Sequence, residues 1–217
     1  ELTKRLKKMA NDLTENKVMT LLNWSYEKAV QGVAGLDSAY DLAEDYMKRN
    51  DSLYDQANSL IRWQNTKAGT SGFLTGLGGI ITLPIAIPAN VASVMYVQIR
   101  MIAAIAHMGG HDLSDDRVKS LVFVCLTGNA AKDILKDVGI VVRKKLAENA
   151  IKNISGKTIT TKNQKVGFRL LTKFGEKGII NLGKTIPLLG GVVGATFDSV
   201  STNTVGNIAR NTFISKH

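Results

Sequence analysis

Ser114-Asp-Asp-Arg-Val-Lys-Ser-Leu-Val-Phe-Val-Cys-Leu126 opens on residues that start helices and runs into residues that fill cores. Ser114 reads as an N-cap, and the acids behind it complement the positive end of a helix dipole. Leu121, Val122, Val124, Cys125 and Leu126 then leave the helix almost wholly apolar, so it belongs at a centre, enclosed by others. No stretch of the chain alternates long enough to demand a sheet. The predicted class is all-α, a compact bundle of about seven to eight helices with two Gly/Pro-rich apolar segments.

Working toward the N-terminus, the same helical period recurs. Leu2, Leu6, Met9 and Leu13 lie three and four apart. A second helix is expected over residues 18–31, ended by Gly32 and Gly35. Asp37 reads as the cap of a helix through Tyr40, Ala43 and Met47, and Asp51 as the cap of one burying Leu53, Ala57, Leu60 and Ile61. Both tryptophans and four of the five tyrosines fall in residues 1–67, where they read as packing for this layer, with a membrane-interface belt as the other reading. Toward the C-terminus, a long helix is expected over residues 130–152, carrying Leu135, Val138, Val142 and Leu146 on one face. Residues 155–164 read as a polar linker, with a short extended piece at 158–161.

Charge and apolar surface are segregated. The chain has 217 residues, 44% of them hydrophobic, which rules out global disorder. Its mean hydropathy is +0.01 although its net charge is +10. Residues 1–67 hold ten basic and ten acidic side chains, residues 68–99 hold none of either, and the remainder carries the whole excess. Residues 143–184 alone hold eleven basic residues against Glu148 and Glu176. Residues 1–67 therefore read as an amphipathic helical segment and 68–217 as a helical core, together one continuous domain. The chain opens on Glu1 rather than Met, which reads as a trimmed or processed start, and residues 1–16 are too charged for a signal peptide.

The uncharged part contains Gly76-Leu-Gly-Gly-Ile-Ile-Thr-Leu-Pro84-Ile-Ala-Ile-Pro88, and a second such segment is Ile186-Pro187-Leu-Leu-Gly190-Gly191-Val-Val-Gly194-Ala195. Gly72 with Gly76, Gly190 with Gly194, and Gly191 with Ala195 are spaced by four and form smooth grooves for close backbone approach. Three readings stand: buried helix contacts in a soluble bundle, conditional insertion of Leu83, Pro84, Ile85, Ile87 and Pro88 into lipid, and a constitutive membrane protein. The prolines and Arg100 interrupt any plain span of about 20 residues. Lys165, Arg169, Lys173 and Lys177 make a basic ridge beside Val166, Leu170 and Phe174, which suits an anionic membrane or an acidic groove. Nucleic acid is the weaker alternative, because no helix-turn-helix, zinc-finger or RNP-type signature accompanies the charge.

Signals for catalysis are sparse. His107 and His111 are four apart with Asp112, Asp115 and Asp116 behind them, a spacing that presents two imidazoles to a metal only if the helix continues. Gly109 and Gly110 end it, so no metal site, cofactor or catalytic residue is assigned. Cys125 reads as a small core residue, and a single cysteine excludes an internal disulfide framework. There is no P-loop, nucleophile elbow or dinucleotide fingerprint.

The segment from Gly76 to Pro88, then Gln98-Ile-Arg100-Met-Ile-Ala-Ala-Ile-Ala106, then Gly110-His-Asp112-Leu, resembles the bacterial EcsC protein family. Pro187-Leu-Leu-Gly-Gly-Val-Val-Gly194-Ala-Thr-Phe197-Asp198, with Gly206 beyond, resembles that family's closing motif, and the blocks bracket residues 68–213. Ala86 stands where the family pattern carries an acid between the prolines. The resemblance implies a helical protein linked to membrane or transport loci, with no catalytic residues to carry over. The expectation is a non-catalytic protein of the bacterial cytoplasm that meets anionic membrane lipid or a membrane protein, peripherally or by conditional insertion, and in a stronger form permeabilises the membrane as an effector. A soluble helix-docking module is the alternative, and a hydrolase of a hydrophobic substrate using residues 107–116 comes last.

Overall fold

A computed structural model describes residues 15–33, 35–68, 89–137, 151–174 and 192–214. Among these residues there are eight α-helices, one 3-10 turn at Gly128–Ala130 and no strand; the class is all-α. The helices are α1 (Glu15–Gln31), α2 (Ala39–Met47), α3 (Leu53–Ala68), α4 (Ala89–Met108), α5 (Asp116–Leu126), α6 (Ala131–Lys136), α7 (Gly156–Phe174) and α8 (Val192–Phe213). The helix expected from Leu2 to Leu13 lies outside the described residues.

The axis of the bundle is α4. It packs against α1, α2, α3, α5 and α8, and from Met95 to Ala106 every residue is buried. Helix α5 shares this centre, with Val118 and the run from Ser120 to Leu126 buried. Buried residues from both sides of position 67, among them Leu21, Leu60, Ile102, Phe123 and Ala209, belong to one hydrophobic cluster. Fully burying a Leu, Ile or Phe side chain contributes about 1.5–3 kcal/mol relative to exposure. Polar contacts between residues far apart in sequence fix the register. The Tyr26 hydroxyl donates to the Leu113 carbonyl at 2.8 Å, and Arg210 donates to Asn58 while its guanidinium lies 4.3 Å from the Tyr54 ring centre.

The glycine stops hold. Gly32 ends α1 at φ +81°, its N–H donating to the Lys28 carbonyl. Gly110 ends α4 at φ +84°, with its own N–H bonded to His107 O and that of His111 to Ala106 O, the paired bonds of a Schellman cap.

The caps are each displaced by one residue. Ser38, not Asp37, caps α2 in a reciprocal box with Asp41, and Ser52, not Asp51, accepts from Asp55 N–H at the start of α3. Asp115, not Ser114, caps α5 by accepting from Arg117 N–H. In each pair both residue types can cap, and the backbone conformation selects one.

Of the helix expected over 130–152, residues 131–136 form α6, and residues 138–150, with Val138, Val142 and Leu146, lie outside the described residues. One larger expectation fails. The polar stretch 155–164 is not a linker and has no extended piece; it is the start of α7. Ser155 Oγ accepts from Thr158 N–H, and fully buried Val166 and Leu170 anchor the second half of the helix. Arg100, read as the border of an apolar run, sits in the middle of α4.

Candidate functional site

Arg100 is the only Lys, Arg, Asp or Glu between Lys67 and Asp112, and it is 4% exposed. Its Nη1 donates to the Asp37 carbonyl at 3.1 Å, while its buried Nε has no hydrogen-bond partner among the described residues. Among the described residues no carboxylate lies within ion-pairing distance of it. Burial holds its pKa below the ordinary arginine value, opposed by the nearby Tyr96 and Asp37. Among the described residues, Gln64 Oε1 and Tyr96 Oη are likewise buried without hydrogen-bond partners. Desolvation raises the Tyr96 phenol, and the Arg100 charge works against that rise.

The turn between α1 and α2 presents the carbonyl that holds Arg100. Gly35 takes φ +82°, and Leu36 N–H donates to Val33 O, a tight reversal that delivers Asp37 against α4. Arg100, Gln64, Asp37, Tyr46, Arg49 and Trp63 line a pocket of about 410 Å³ bounded by α2, α3 and α4. Arg49 lies over the Tyr46 ring at 4.2 Å, and Asp45 at the rim pairs with Lys48 at 3.2 Å. Trp63 is half exposed at the mouth. An enclosed guanidinium lining a cavity suits recognition of an anion.

The residues singled out from sequence fall elsewhere. Leu83, Pro84, Ile85, Ala86, Ile87, Pro88, Gly72, Gly76, Lys177, Gly190 and Gly191 lie outside the described residues, and Gly194 is in the first turn of α8. Lys165, Arg169 and Lys173 are on α7. Lys165 is exposed and pairs with Asp137 at 3.1 Å. Val166 and Leu170, expected beside the ridge, are fully buried, and α7 packs on α1 and α5. That apolar face is therefore already covered by protein. No described helix is long and apolar enough to cross a membrane.

The candidate chemistry at residues 107–116 is dispersed. The His107 ring meets Tyr40 edge-on at 4.8 Å, whereas His111, beyond the Gly110 turn, meets Phe213 at 5.3 Å. Among the described residues no three metal-ligating side chains gather. The Cys125 thiol is buried beside Thr212 Oγ1, and burial pushes its pKa up to about 12, far from a thiolate nucleophile. Sequence reasoning passed over Arg100, Gln64 and Tyr96 as a group. The usable signal was a lone charge inside an otherwise apolar helix.

No curated protein and no solved structure matches the chain. A model of the EcsC protein family matches residues 1–215, which takes in the N-terminal section as well as the two motif blocks, and the chain belongs to that family.

Proposed function

We propose that this EcsC-family protein works by binding rather than by catalysis, and that it docks peripherally on an anionic bacterial membrane. The observation that carries the reading is the segregated charge: a net +10, with eleven basic residues against two acidic ones in residues 143–184. Helix α7 contributes Lys157, Lys162, Lys165, Arg169 and Lys173 to that stretch. Each basic residue close to an anionic leaflet contributes about 1 kcal/mol, and the attraction fades within a Debye length of about 8 Å at physiological salt. The buried Val166 and Leu170 favour electrostatic docking over insertion of this helix.

Liposome flotation tests the proposal. Recovery with phosphatidylglycerol vesicles, none with phosphatidylcholine vesicles, and release at high salt are expected. Equal recovery with both lipids, or none with either, refutes it. Trapped dye separates the two forms of the reading: dye retained during binding assigns passive docking, and leakage assigns a permeabilising effector.

A further inference from the structure

We propose that the pocket at Arg100 is a binding site for a small organic carboxylate. A buried guanidinium is costly unless charges or several acceptors surround it. Here the Asp37 carbonyl is its one hydrogen-bond acceptor among the described residues, and the group lines an open cavity. A carboxylate entering that cavity could meet the guanidinium in direct contact, which the Asp37 and Asp45 carboxylates do not, and its planar pair of oxygens matches the guanidinium fork.

The rest of the pocket narrows the ligand class. Its volume of about 410 Å³ is in the range that takes small organic molecules. Trp63, 50% exposed in the lining, offers ring surface for an apolar body. The charge balance favours a monoanion. Arg49 is held over the Tyr46 ring, leaving Arg100 as the enclosed cation, and Asp37 and Asp45 stand in the same lining. A phosphate dianion would meet those two carboxylates. It would also miss the helix amide that phosphate sites often use, because Asp41 N–H at the start of α2 is already bonded to Ser38 Oγ. The site is independent of membrane docking, so failure of the flotation experiment leaves it intact.

The test uses the full chain with Trp24→Phe, which leaves Trp63 as the sole tryptophan. Benzoate, hexanoate and inorganic phosphate are titrated at constant ionic strength against chloride, following Trp63 fluorescence and the thermal midpoint. A saturable fluorescence change and a raised midpoint with a carboxylate are expected. Arg100→Met, similar in length and uncharged, should weaken binding by at least about tenfold. Arg100→Lys keeps the charge but not the fork and should fall between the two. A purely structural Arg100 would alter the midpoint of the ligand-free variants without giving any ligand response in the parent. The proposal is overturned by no saturable response to either carboxylate up to about 10 mM, by unchanged affinity in a folded Arg100→Met, or by preferred binding of phosphate. The parent titration decides the first and last of these even if neither variant folds.

Discussion

Replacing Gly206 by Ala should destabilise the protein, although the same change normally strengthens a helix. Gly206 lies inside α8 where that helix meets α3. A Cβ there would stand 2.8 Å from Ile61 Cγ1, 2.9 Å from Ile61 Cγ2 and 3.2 Å from Met101 Cε. Ile61 is 2% exposed, and a β-branched side chain in a helix has one strongly preferred rotamer, so it cannot turn aside. Gly167 inside α7 is the matched control. Its nearest neighbours would be Met19 Sδ at 3.5 Å and Cγ at 3.6 Å, ordinary contacts with a flexible chain. Both substitutions gain about 1 kcal/mol of helix propensity, whereas only Gly206→Ala carries an overpacking cost of about 1–3 kcal/mol. Gly167→Ala should therefore stabilise by about 0.5–1 kcal/mol, and Gly206→Ala should lie about 1–3 kcal/mol below it. Urea unfolding midpoints with a constant m-value measure both. Ile61→Ala removes both clashing γ carbons, so in that background Gly206→Ala should lose its penalty. Equal stability of the two alanine variants, or a penalty that survives Ile61→Ala, refutes the packing argument.

Cys125 should resist alkylation in the folded protein at pH 8 and react at once in denaturant; brisk labelling of the native state would contradict its burial beside Thr212. Ser38→Ala removes the acceptor of the α2 capping box and should cost about 1 kcal/mol in urea unfolding. Acid should also weaken the fold: hydrogen bonds from Ser38, Ser114 and Arg117 hold Asp41, Asp112 and Asp115 below the ordinary aspartate value. Because the folded pKa values are depressed, that stability is complete above about pH 4 and disappears as pH falls through them. A thermal midpoint that stays flat from pH 5 to pH 2.5 would count against it.

The all-α class was legible because the signals are local. Apolar residues recur at the helical period, and Gly32 and Gly110 stop helices by adopting positive φ. Cap identity was not, since Asp37 and Ser38 both have the side chain to cap and only the backbone distinguishes them. Helix α7 was hidden by its polar first half; what commits it is Ser155 at its start and the burial of Val166 and Leu170 against other helices. The pocket was hidden for the same non-local reason. Arg100 resembles a boundary between apolar and charged sequence until a turn 63 residues earlier folds its Asp37 carbonyl against it. Lys165 likewise looked like part of an unopposed ridge, and its pairing with Asp137 spans 28 residues.

The most direct test of the binding account compares the parent with the combined Lys165→Gln, Arg169→Gln and Lys173→Gln variant on vesicles of increasing phosphatidylglycerol content. At about 1 kcal/mol per basic residue, the variant should bind on the order of a hundredfold more weakly while keeping its fold and its thermal midpoint. A parent that binds no better than the triple variant, at any anionic lipid content, would contradict it.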